Sequence, residues 1–226
     1  MRRSRLVARI LAVAAAALGA SLAAAAGPAE DEAGTRVFRG NFLVGKSGAL
    51  FSPCFSGTRV RLEDATAGGA LGAAYREIAP QPGWAIFVEF TGRESGGHLR
   101  AEKLHRASAG GPGCAESIAE LGLVALGSDP VWGLESRASG IRLRILRESA
   151  PREFPPPSVT TNKDEARGET RYETATAKSA LRIVVRPGTC RDALSGSLFD
   201  HIAEVHLDDM TLQGCAYWGD LERQVR

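Results

Sequence analysis

The feature that most constrains this chain is its punctuation. Short apolar stretches are cut repeatedly by turns bearing Gly or Pro, which number 26 and 11 in 226 residues. Long helices do not survive such interruption, whereas strands need only a few residues each, so the pattern predicts a mostly β protein. Period-two alternation locates several strands. Trp84, Ile86, Val88 and Phe90 fall on one face of a strand, while Ile141, Leu143 and Ile145 alternate with Arg142 and Arg144. Leu181, Ile183 and Val185 alternate with Arg182, Val184 and Arg186, which again gives a half-buried strand with an arginine-bearing outer face. Val37 to Val44, Thr58 to Leu62 and His98 to His105 read as further strands. Ala203 to Leu207 and Met210 to Cys215 form a closing hairpin, with Asp208-Asp209 near its turn. One short helix is expected, because Leu71, Ala74, Tyr75 and Ile78 recur at helical spacing. Arg152 to Arg167, stiffened by Pro155-Pro156-Pro157 and rich in charge, reads as an exposed loop.

Ahead of these elements, Arg2, Arg3, Arg5 and Arg9 precede an Ala-dominated run from Ile10 to Ala26, which has the layout of a secretory signal peptide over residues 1–26. Cleavage is expected after Ala24 or Ala26. The competing reading, an uncleaved anchor, needs roughly 20 strongly apolar residues, and this run is shorter and weaker. The first cysteine is Cys54, so no acylation site adjoins the cleavage region. The expected mature chain is periplasmic or secreted and does not span the membrane. The leader carries four arginines and no carboxylate, so its loss leaves 24 Lys and Arg against 26 Asp and Glu, a formal net of −2. With both signs interspersed and no basic stripe, no nucleic-acid partner is expected.

In an exported chain the four cysteines, Cys54, Cys114, Cys190 and Cys215, read first as two disulfides. Three pairings are possible. Gly and Ser thicken through Ala107 to Gly113, which puts a boundary near Cys114 to Leu121 and favours the sequential pairing Cys54–Cys114 and Cys190–Cys215. A redox or metal-binding thiol pair would need a tighter cluster than this chain has. Two small β domains follow: residues 36–114 as an OB-like β-barrel, and residues 121–218 as a disulfide-closed β-sandwich or barrel.

Two stretches resemble known envelope families. Ala49 to Arg59, with its Phe-x-x-Cys-x-x-Gly pattern, then Ala74-Tyr75 and Pro82-Gly83-Trp84-Ala85-Ile86, resemble the carboxy-terminal OB-type barrel of the NlpE lipoproteins and of proteins joining it to a META (HslJ-like) domain. Gly127 to Leu134, Cys190-Arg191-Asp192-Ala193-Leu194-Ser195 and Gly214-Cys215-Ala216 are similar to a group of uncharacterised bacterial envelope proteins. Asp129 and Val131 stand where that group has Glu and Phe. The resemblance implies an envelope location and a fold. The copper association of NlpE-type proteins involves a Cys-x-x-Cys motif in another domain, absent here, and is not carried over.

Signals of catalysis are sparse. Neither Leu194-Ser195-Gly196-Ser197 nor Gly45-Lys46-Ser47-Gly48 has the spacing of a nucleophile turn or a phosphate loop. Glu63-Asp64 and Asp164-Glu165 are neighbours in turns or loops, and paired glycosidase carboxylates must instead face each other across a cleft. His201, His206, Asp200, Asp208 and Asp209 lie within a short span, and a metal site there requires His201 and His206 to converge. Trp132 and Asp192 are the candidate ligand contacts, although Trp132 equally suits a core and Asp192 a brace for the turn after Cys190. The expected function is non-catalytic binding or envelope maintenance, without cofactor, toward an unknown envelope protein or cell-wall component. The alternatives are a cell-wall hydrolase working through carboxylates and a metal-responsive envelope stress protein. A shallow face of apolar and arginine side chains favours binding, and a cleft with two convergent carboxylates favours hydrolysis.

Overall fold

A computed structural model describes residues 34–161 and 168–225. The leader expected over 1–26 and residues 162–167 of the expected loop, Asp164 and Glu165 among them, lie outside the described residues. The described residues form one compact unit, and the protein is mostly β.

The first five strands are β1 (Arg36–Gly45), β2 (Gly48–Pro53), β3 (Val60–Asp64), β4 (Ile86–Ser95) and β5 (His98–Ser108). Their order β3-β2-β1-β4-β5 closes on itself through a parallel β3–β5 pairing, giving the five-stranded OB-like barrel. Closure satisfies the backbone groups that an open sheet would leave at its edges. Phe42, Phe51, Phe90, Ile86 and Val88 fill the interior, and each fully buried side chain of this size contributes about 1.5–3 kcal/mol. Helix α1 (Ala70–Ile78) joins β3 to β4 and plugs one end of the barrel with Leu71, Ala74 and Tyr75, the Tyr75 ring standing edge-on to Phe42. Its start is fixed by Thr66, whose hydroxyl accepts from Leu71 N–H at 3.1 Å, and by Asp64, which accepts from Gly72 N–H at 2.8 Å.

The second half comprises β6 (Leu123–Ser128), β7 (Val131–Arg137), β8 (Gly140–Ile145), β9 (Arg152–Phe154), β10 (Ser158–Thr161), β11 (Thr170–Ala175), β12 (Ala180–Arg191), β13 (Leu198–Leu207) and β14 (Met210–Trp218), followed by α2 (Asp220–Val225). The hydrogen-bonded path runs β13-β14-β6-β7-β8-β9, with β12, β11 and β10 on the other side of β13. This sheet wraps a second core that includes Trp132, Leu134, Leu143, Tyr172, Ile183 and Val205. Its path is continuous with the barrel, because Leu198 and Phe199 of β13 pair with Ala107 and Arg106 of β5. Ile118, Leu121, Phe199, Cys215 and Tyr217 form a third apolar cluster.

Two local expectations need correction. Arg152 to Arg167 is not simply a loop: the three prolines separate β9 from β10, and only Pro155–Pro157 between those strands is without regular structure. Their missing N–H groups exclude them from a ladder, while the residues on either side are free to pair with β8 and β11. Trp84 does not share the buried face of β4. It precedes the strand and is 56% exposed, and Ile86 to Phe90 are instead buried on both faces, because β4 carries the Gly113–Ala115 turn and Arg106 on its outer side.

Candidate functional site

Sequential pairing of the cysteines is observed, with Cys54–Cys114 and Cys190–Cys215 at Cα separations of 5.3 and 5.4 Å. The first ties the β2–β3 loop to the connector after β5, and the second ties β12 to β14.

A surface depression of about 540 Å³ lies on the outer face of β6, β7 and β8. Its origin is local. Strand alternation sends Trp132, Leu134, Leu143 and Ile145 inward, which turns Val131, Gly133, Glu135, Arg142 and Arg144 outward. Gly133 has open space where a side chain would stand, so the face is hollow at its centre. Val124, Leu126, Val131 and Leu146 supply an apolar floor, and Leu146 is 64% exposed. Arg144 sits directly across the ladder from Gly133. Arg142 is paired with Glu153 at 3.2 Å and Glu135 with Arg137 at 2.9 Å, whereas Arg144 makes no ion pair among the described residues. Among the described residues, the groove therefore offers a guanidinium without an ion pair beside an apolar surface.

Trp132 contributes to this groove from beneath. It is 3% exposed, and its indole N–H donates to the Gln213 carbonyl at 3.2 Å. A side chain at Gly127 or Gly214 would collide with the indole, so both glycines are required for it to lie flat. Asp192 is buried and is not among the residues lining the groove. Its carboxylate accepts from the Ser195 N–H at 2.8 Å and the Ser195 hydroxyl at 2.6 Å, bracing the turn between β12 and β13.

Sequence reasoning singled out Asp200 and His201 but missed their partner His105 in a polar chain where β5 meets β13. Asp200 accepts from His105 Nδ1 at 2.8 Å, His201 Nδ1 at 2.6 Å and Lys103 Nζ at 2.9 Å. The Trp218 indole, which can only donate, faces His201 Nε2 at 3.2 Å and so fixes its proton on Nδ1. The Thr91 hydroxyl lies 2.5 Å from His105 Nε2. His105 is the extra residue of a bulge, since Glu89 pairs with Arg106 and Phe90 with Leu104, and the bulge re-aims it. Burial favours the neutral form of Asp200, but the hydrogen bonds from His105 and His201 outweigh it and hold the carboxyl well below the ordinary range. Partners 95 residues apart leave no signal in sequence. His105 and Asp200 line a cavity of about 410 Å³ against α1, and Thr91 is not among its lining residues.

A second charged cluster lies beneath the first disulfide. Glu116 accepts from Arg106 at 2.6 Å and from the Tyr217 hydroxyl at 2.5 Å, and fully buried Glu89 faces Arg39 at 3.3 Å and Arg106 at 3.7 Å. Burial opposes ionisation of Glu116, yet Arg106 and the Tyr217 hydroxyl bring its pKa below the usual value. Burial, together with the Glu116 charge, pushes the Tyr217 phenol up despite Arg106.

His201 and His206 do not converge. They project from opposite faces of β13, and His206 pairs with Glu204 at 2.6 Å. Among the described residues no three His, Cys, Asp or Glu side chains come together in a metal-holding group. Glu63 is engaged by Arg100 at 2.7 Å, and Asp64 caps α1. No family model, curated protein or solved structure matches the chain.

Proposed function

We propose that this protein is a non-catalytic binding module of an oxidising, extracytoplasmic compartment, and that it engages an envelope protein or cell-wall component through the groove over β6–β8. The observation that carries the reading is the arginine-rimmed apolar floor around Gly133. Such a surface gains from burying apolar area and from satisfying Arg144, and it contains no convergent pair of carboxylates for hydrolysis. Two disulfides suit the compartment, and among the described residues no helix is long and apolar enough to cross a membrane. The resemblance of the first half to OB-type envelope barrels points the same way.

The test uses the empty space at Gly133. A Cβ added there meets no neighbouring atom within 4 Å, so the strand can carry a photo-crosslinking phenylalanine analogue whose side chain starts out over the groove. In the exporting cell, a discrete adduct that disappears when Arg144→Glu is added is the expected result. Absence of any adduct, or release of soluble fragments from purified cell wall by the protein alone, overturns the reading.

A further inference from the structure

We infer that the open mouth of the first barrel is a self-association surface, in which Phe55 of one copy enters the mouth of a second copy about a two-fold axis. The barrel is closed at one end by α1, and at the other the ends of its strands surround a cavity of about 460 Å³. Phe38, Val60 and Leu99 form its apolar wall, Val37 stands at the side, and Arg36 and His98 are at the rim.

Phe55 stands in the β2–β3 loop beside this mouth yet is not among the residues lining it. It is 91% exposed. Its φ of 61° is the left-handed region, which a bulky side chain occupies at a cost. Ser56 N–H closes a turn onto the Pro53 carbonyl at 3.1 Å, which puts Phe55 third in the turn, where Gly or Asn is usual. The loop is pinned on either side: Cys54 is bonded to Cys114 and donates its N–H to the Arg39 carbonyl at 2.8 Å, and Thr58 N–H reaches the Ser56 hydroxyl at 3.2 Å. The largest aromatic exposure in the described chain is therefore fixed in space, at a conformational cost, next to an apolar hole it cannot fill itself.

A knob and a hole on one surface are the requirement for an isologous contact, because a two-fold axis brings each knob to the other hole. A phenylalanine buries roughly 150–250 Å², so two knobs with the walls they cover remove about 800 Å² in total, below the size of standard stable interfaces. An interface of that size belongs to the weak, transient class, so the dimer is expected to form at micromolar rather than nanomolar concentrations.

Sedimentation velocity from about 1 to 300 μM spans that range. The wild-type chain is expected to shift from monomer to dimer, and Phe55→Gly, which keeps the left-handed turn, should remain monomeric throughout while melting no lower than wild type. Val37→Trp, at a partly exposed position on the hole side, should raise the dissociation constant at least tenfold. A wild-type monomer at the highest concentration, or a Phe55→Gly variant that dimerises as wild type does, overturns the inference. Binding of monomer to phosphatidylglycerol vesicles, lost in Phe55→Gly and unaccompanied by dimer, would assign Phe55 to a lipid surface instead.

Discussion

Asp200 is kept ionised by donors rather than by water, and this makes it the residue whose protonation the fold registers most directly. Its folded pKa is depressed, so its contribution to stability is complete above the ordinary aspartate value near pH 4 and is lost as pH falls towards the folded value. Asp200→Asn removes charge-assisted bonds from two imidazoles and Lys103, and it should cost about 2–3 kcal/mol at pH 7. Urea midpoints compared at pH 7 and pH 3 check this: the gap between wild type and variant should narrow at the lower pH, and an equal gap at both would contradict the assignment. Glu116 obeys the same rule in the second charged cluster, with its own depressed pKa held by Arg106 and Tyr217.

At the scale of elements, the two disulfides constrain loops of different length. On the chain-entropy account, loss of the 60-residue link should cost about 4 kcal/mol and loss of the 25-residue link about 3.5 kcal/mol. Paired Cys→Ser variants, followed by chemical denaturation, measure both. A link whose removal leaves the midpoint unchanged does not constrain the unfolded chain as supposed. The same scale shows what local sequence carries. Alternation at Ile141 to Ile145 and the helical spacing of Leu71, Ala74 and Tyr75 mark which side chains turn inward, because burial of one face imposes that period. β4 hid its true exposure, since Phe87 and Glu89 are covered by Arg106 and the Gly113–Ala115 turn, which arrive from later in the chain. β9 and β10 were masked by the prolines between them. The groove was legible only through Trp132, which turned out to underlie it, and its arginine rim was visible as alternation without any indication of a hollow. Phe55 carried no signal at all, because exposure and a positive φ belong to the folded loop.

For the whole molecule, two apolar cores are joined by the Leu198–Phe199 pairing with β5, the third cluster around Ile118 and Tyr217, and the Glu116 network. Heating should therefore melt the protein in one transition. Glu116→Ala leaves Arg106 and Tyr217 without their shared acceptor in a buried seam, and should lower stability by about 3 kcal/mol and separate the calorimetric trace into two transitions. A single transition, merely shifted, would place the coupling in the backbone pairing instead. That pairing has a consequence for anyone cutting or recombining the chain. β13 is at once an interior strand of the second sheet and the neighbour of a barrel strand, so the seam is made of shared hydrogen bonds rather than of a tether. A fragment ending after Ala115 would lose the partner of Arg106 and Ala107, and one beginning at residue 121 would bare the start of β13. Each piece would carry a raw edge suited to pairing with the wrong chain, and homologous halves could be exchanged only by carrying both sides of that edge together.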